Sequence, residues 1–162
     1  MDGRRHSWFV LAFSLALTLV LAVLPLPDLV APLRPDWVAV VLLYWSLMAP
    51  RRFSLLTALW MGIALDTLSG ALLGQNALAL LVIVYLAERF HLRLRVFPVS
   101  QVAFTVLVLL GLYEFILFWI DGVAGRTVPL VERWVPPLTG TLVWLAMLVF
   151  FDRGQRQARV RI

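Results

Sequence analysis

The sequence predicts an all-α integral membrane protein of six transmembrane helices, with both termini on the cytoplasmic side. Three observations carry this reading: an apolar excess, six apolar runs with short polar breaks, and an arginine distribution that alternates with those breaks. The chain of 162 residues is 62% hydrophobic and only 14% charged, with a mean hydropathy of +0.94. A soluble domain carries roughly 45–50% apolar and about 25% charged residues. Too little polar surface remains to face water, so the solvent is lipid.

A helix needs about 20 apolar residues to cross a hydrocarbon core of about 30 Å. Six candidate spans emerge, at residues 8–24, 37–49, 53–68, 75–86, 99–120 and 134–151, and together they form one domain over residues 1–162. The first follows Arg4, Arg5 and His6 like a signal-peptide core. Its long apolar run and the absence of a small-x-small cleavage site make it an uncleaved anchor. Pro25 and Pro27 close it, Pro50 closes the second span, and Pro98 precedes the fifth. The second and fourth spans are short for a crossing, so they either extend into their flanks or are broken segments sheltered by neighbours. In the sixth, Pro136 and Pro137 fall in the first turn, where a missing N–H costs little.

Arginine placement sets the orientation. With a cytoplasmic N-terminus, the inner flanks hold Arg4, Arg5, Arg51, Arg52, Arg89, Arg93, Arg95, Arg153, Arg156, Arg159 and Arg161. The outer loops keep only Arg34, Arg126 and Arg133. Eleven against three supports the six-span count as well, because losing one span would scramble the alternation. Trp37, Trp119 and Trp134 fall at the outer boundary, where amphipathic rings favour the headgroup layer. The arginine-rich tail lies on the anionic inner leaflet, each cation contributing about 1 kcal/mol near that surface.

Several function classes drop out. With no cysteine, disulfides, thiolate nucleophiles and cysteine metal sites are excluded. His6 and His91 sit beside arginines in polar flanks, away from the apolar spans. The net charge is +5, but the basic residues punctuate apolar runs and form no nucleic-acid patch. No G-x-S-x-G, H-E-x-x-H or phosphate-cradling glycine loop occurs, and no glycine-x-glycine lead-in precedes the buried aspartate. Neither an enzyme nor a cofactor or metal site is expected.

Asp66 and Glu114 are the residues that composition does not explain. Asp66 lies fourteen residues past Arg52, about 21 Å along a helix, and Glu114 fifteen past Val99, about 22 Å. Both carboxylates therefore share the outer third of the membrane. An unpaired charge near mid-bilayer costs at least about 2.5–3.5 kcal/mol, so each must be neutralised, paired or placed in a wet cleft. The reading adopted is a polar lock, with donors among Thr67, Ser69, Gln75, Asn76, Tyr113 or an outer arginine. A partner-binding site and proton or cation coupling stay open. A lock predicts that Asp66→Asn is mild and that Asp66→Leu lowers folded yield.

Gly62, Asp66, Ser69 and Gly70 share one helical face. Gly70 and Gly74 form a G-x-x-x-G, which lets backbones approach closely and admits a homodimer. The alternative, which is preferred, is that Gly70 ends the third helix in a left-handed cap. Pro35 and Asp36 give the second span helix-start chemistry. Arg34 beside them is the outer counter-charge proposed for Asp66 or Glu114.

Together these residues resemble the rod shape-determining protein MreD family. The resemblance rests on "RPDWVAVVLLYW" (residues 34–45), "GIALDTLSGALLGQNALAL" (62–80) and the arginine-rich hinge after "YLAERF" (85–90), with size and hydropathy matching throughout. It implies a component of the bacterial cell-elongation machinery in the inner membrane. Its partner would be MreC, and through it MreB, RodA and the class B penicillin-binding transpeptidase. It also implies a fold like the substrate-binding subunits of energy-coupling-factor transporters. That likeness keeps a second function class open, a small-solute-binding transporter subunit. The residues expected to form a partner-binding site or polar cluster are Gly62, Asp66, Ser69, Gly70, Gly74, Gln75, Glu114 and Arg34, and in the scaffold reading the docking ground is the small residues Gly62, Gly70 and Gly74 with the cleft beside Asp66.

Overall fold

The computed structural model describes residues 2–24, 33–48, 55–94, 97–126 and 129–159. Pro25, Pro27, Pro50, Arg51, Arg52, Arg95 and Arg161 lie outside the described residues. Six helices follow one another: α1 (Asp2–Val23), α2 (Trp37–Met48), α3 (Leu55–Ser69), α4 (Gln75–Leu94), α5 (Val99–Val123) and α6 (Leu130–Arg159). Every consecutive pair from α3 onward packs together, and α1 lies against α2 and α3.

The second helix is the centre of the bundle. Val38 to Tyr44 are all buried, as are Ser46 and Leu47. At 12 residues it is about 18 Å long, too short to cross alone. It is sheathed instead by α1, α4, α5 and α6, so no backbone group at its ends needs to meet lipid. Helix α4 supplies the opposite wall through Ala79, Leu80, Ile83, Val84 and Ala87. Those positions repeat at helical spacing and lay one face on α2.

Several expected boundaries change: α1 starts at Asp2 and not at residue 8, and α6 runs on to Arg159 past residue 151. The fourth span, read as 75–86, continues as a helix to Leu94, because nothing between Ala87 and Leu94 breaks it and the charged residues Glu88, Arg89 and Arg93 are good helix formers. The sixth helix begins at Leu130 rather than Trp134. Pro136 and Pro137 therefore lie inside it, beyond the first turn, and the Glu132 and Arg133 carbonyls get no intrahelical N–H from them. The extra turn before the prolines is what carries Arg133 to the cluster described next.

Among the described residues, Val99–Val123 and the 133–150 segment of α6 are long and apolar enough to cross a membrane. Val10–Val23, Trp37–Met48 and Leu55–Ser69 are shorter apolar helices.

Candidate functional site

Asp66 joins two helices at once. Helix α3 ends at Gly70, whose φ of +65° is the left-handed cap. There the Ala71 amide donates back to the Asp66 carbonyl at 3.1 Å, closing a Schellman turn. The Asp66 side chain then turns to the start of α4. Its Oδ2 accepts from the Gly74 amide at 2.8 Å and, at 3.5 Å, from Ala77. Its Oδ1 accepts from the Asn76 amide at 2.9 Å and from Asn76 Nδ2 at 2.8 Å.

Gly74, at the N-cap of α4, has no side chain to satisfy those amides, and a carboxylate from the preceding helix does it instead. The N–H groups and the positive end of the α4 dipole take the place of a counter-ion. This is how a 1%-exposed aspartate is tolerated with no ion pair to a cation among the described residues.

Gly62, one turn before Asp66, makes the reach possible. A β-carbon there would sit 2.3 Å from Ala77 Cα. Only a glycine lets the first turn of α4 come that close to α3.

The same device recurs one hairpin later. Asp121 stands four residues before Gly125, at φ +71°, and the Arg126 amide donates to the Asp121 carbonyl at 2.9 Å. "DTLSG" (66–70) and "DGVAG" (121–125) are thus one structural motif used twice. Here too the side chain crosses to the next helix: the Asp121 carboxylate pairs with the Arg133 guanidinium near the start of α6. Its other oxygen accepts from Gln75 Nε2 at 2.9 Å.

The two devices are linked through α4. Asn76, held by Asp66, accepts from the Tyr113 hydroxyl at 2.6 Å, and Gln75 holds Asp121. Arg133 Nη1 stands 3.9 Å from Glu114 Oε2, and its guanidinium lies 6.0 Å from the centroid of the Phe118 ring. The Asp36 carboxyl group faces that of Glu114. Beside this cluster lies a cavity of about 340 Å³, lined by Arg34, Asp36, Asn76, Tyr113, Glu114 and Arg133 among others. Among the described residues, no group of three histidines or acids is placed to hold a metal ion.

Several predicted relationships are corrected. Of the donors expected for Asp66, Asn76 bonds it directly, while Tyr113 reaches it only through Asn76 and Gln75 serves Asp121 instead. Arg34 is not the counter-charge, because it donates to the Leu21 carbonyl, and Arg133 takes that part for Glu114 and Asp121. Thr67 and Ser69 bond back to Ile63 and Leu65 of their own helix, so neither serves Asp66. The cap reading of Gly70 holds. Asp121 and Arg133 were not recognised as site residues; the D-x-x-x-G spacing shared with Asp66 was the available signal.

An all-helical bundle with apolar spans and a buried ionic cluster at one end is the build of a helical membrane protein. The family model for the rod shape-determining protein MreD matches residues 3–153, and the chain belongs to the MreD family. A curated relative, rod shape-determining protein MreD of Haemophilus influenzae (strain ATCC 51907 / DSM 11121 / KW20 / Rd), is 33% identical over 89 residues. That stretch covers 55% of this chain and 55% of the relative, little more than half of each. No solved structure matches.

Proposed function

We propose that this chain is a non-enzymatic, multi-pass inner-membrane component of the bacterial rod-shape complex. In this reading it holds the transmembrane anchor of MreC, and through it positions MreB, RodA and the class B penicillin-binding transpeptidase. The observation that carries the reading is where the acidic groups go. Asp66 is occupied by the amides of α4 and Asp121 by Arg133 and Gln75, so both build the bundle itself. On the outward-facing helix surfaces, what is left for a partner helix is apolar, with Phe13, Trp60, Phe104 and Trp119 all more than half exposed.

Lipid tails are as apolar as leucine, so hydrophobicity cannot drive a partner helix onto that surface; close packing at small residues must. Gly62 is unavailable because Ala77 fills the space beside it. Gly111 suits better. A β-carbon there would meet nothing within 4 Å, and Phe104, Val108 and Phe115 are exposed on the same face of α5. In this reading a partner helix seats its backbone at Gly111 between those side chains.

The test is Gly111→Leu in a rod-shaped host. The variant is expected to reach the membrane at the normal level, lose co-purification of MreC, and let cells round up. Retained MreC and retained rods in that variant would reject the docking face. Rods that persist when the protein is depleted would reject the function.

A further inference from the structure

Two hollows are lined by neighbouring residues at the ends of α1 and α3. The polar cavity is bounded there by Ala22 of α1 and by Leu65 and Ser69 of α3. An apolar groove of about 390 Å³ lies against the same two helix ends, lined among the described residues by Leu19, Val20, Val23, Leu24 and Leu68. One seam, α1 against α3, therefore carries a charged recess beside a strip suited to hydrocarbon.

Inside the recess, opposite kinds of group lack partners. Arg133 is 6% exposed and its Nη1 makes no hydrogen bond; Glu114 at 3.9 Å is too distant to accept one. Asp36 Oδ2 is likewise buried without a partner, while the Asp36 carboxyl group is hydrogen-bonded to that of Glu114. The Arg34 side chain lines the same recess. Buried polar groups left unpaired are costly, and a carboxyl pair that shares one hydrogen bond still has oxygens free to accept from a donor.

A simple anion would satisfy Arg133 and Arg34 but repel Asp36 and Glu114. A simple cation would do the reverse. The guest that suits both walls carries an anionic oxygen and, a short chain away, a primary ammonium whose N–H groups can be donated. We propose that the recess and groove together bind a zwitterionic phospholipid of the phosphoethanolamine type. Its phosphate lies towards Arg34 and Arg133, and its ammonium towards Asp36 and Glu114. One acyl chain runs along Leu19, Val20, Val23 and Leu68. The groove is what selects a lipid over a free zwitterion of the same headgroup chemistry.

The experiment uses the full-length protein in mild detergent with equimolar phosphatidylethanolamine, phosphatidylglycerol and phosphatidylcholine, bound lipid being read by native mass spectrometry. Phosphatidylethanolamine is expected to be retained about fivefold or more over each of the others, since one competitor lacks the ammonium and the other has no N–H to donate. Asp36→Asn should bring phosphatidylethanolamine and phosphatidylcholine close to parity, and Leu68→Trp should reduce retention of all three. Should either variant not fold, the wild-type lipid ranking decides alone. Equal retention of the three lipids overturns the proposal. So does equal protection against thermal unfolding by water-soluble glycerophosphoethanolamine, which would make the guest a free solute.

Discussion

Ala77 occupies the space that a side chain on Gly62 would need, with its Cα only 2.3 Å from where the β-carbon would stand. The obstruction is backbone, which cannot swing aside, and it lies at the first turn of α4 that Asp66 caps. Gly62→Ala should therefore push α4 away and stretch the Asp66 bonds. A loss of about 1–3 kcal/mol is expected from overpacking alone, with more if the cap fails. Gly140→Ala is the control, since its β-carbon would meet side-chain atoms and no backbone, those of Leu110 and Val40 at 3.0 Å and of Pro35 at 4.0 Å. Thermal unfolding in detergent should rank Gly62→Ala clearly below Gly140→Ala; the reverse order would show that the helices are not held at this distance.

The geometry reverses the sequence-based expectation that Asp66→Asn is mild. Both carboxylate oxygens face donors: Gly74 and Ala77 amides on one, the Asn76 amide and side chain on the other. An asparagine must turn its NH₂ towards one of these sets. The exchange is expected to cost about 1–3 kcal/mol, and Asp66→Leu more, because it leaves every one of those donors unpaired. Folded yield and unfolding temperature in detergent check this; an Asp66→Asn protein indistinguishable from the parent would contradict the cap.

How far the sequence was legible follows from which forces act locally. Apolar run length and arginine alternation report the solvent, so the order and approximate positions of the helices could be read directly. The left-handed glycine at Gly70 is local chemistry too, and was legible. The start of α6 was not, because prolines usually mark a first turn and nothing nearby says that Leu130–Val135 precede them as helix. Nor was the pairing of Arg133 with Asp121 and Glu114. An arginine counted as an outer-loop charge reaches a buried acid only once the extra turn and the α5–α6 hairpin exist. The depth match of Asp66 and Glu114 gave their level and not their partners, because side chains on different helices meet by packing, which spacing within one helix does not encode.

The Arg133–Asp121 pair is expected to behave as a buried ion pair. Arg133→Gln leaves Asp121 and Glu114 without their cation and should destabilise the protein by about 3–5 kcal/mol. Asp121→Asn should cost less, since Gln75 can still donate to the remaining oxygen. The double variant should be less damaged than the sum of the two, with a coupling of about 0.5–3 kcal/mol. Strict additivity in a double-mutant cycle would mean that the two side chains do not interact.

Gly70 and Gly74 test backbone strain, not partner docking. Both have positive φ and open space around an added β-carbon, so a substitution is opposed by conformation and by no clash. Gly70→Ala should cost about 1–2 kcal/mol, and Gly70→Asn less, because asparagine tolerates the left-handed region. Gly70→Val should be worst. Leucine at Gly70 or Gly74 would therefore lower folded protein and partner recovery together. Ranking the series by unfolding temperature checks this; valine as stable as glycine would rule out the cap as the role of Gly70.

Topology is the remaining expectation, and it rests on charge. Eleven arginines belong to one set of flanks and three to the other, and cytoplasmic flanks carry the excess of such residues. Asp66, Asp121 and Arg133 all cluster at the end of the bundle formed by the α3–α4 and α5–α6 connections. With the N-terminus inside and six crossings, that end is the outer one, and the arginine-rich ends of α4 and α6 are inner. Reporter fusions within residues 91–95 and after Gln155 should accordingly report cytoplasm, and a fusion at Arg126 should report the outside. A cytoplasmic signal at Arg126 would place the buried ionic cluster at the inner face and remove the six-crossing arrangement with it.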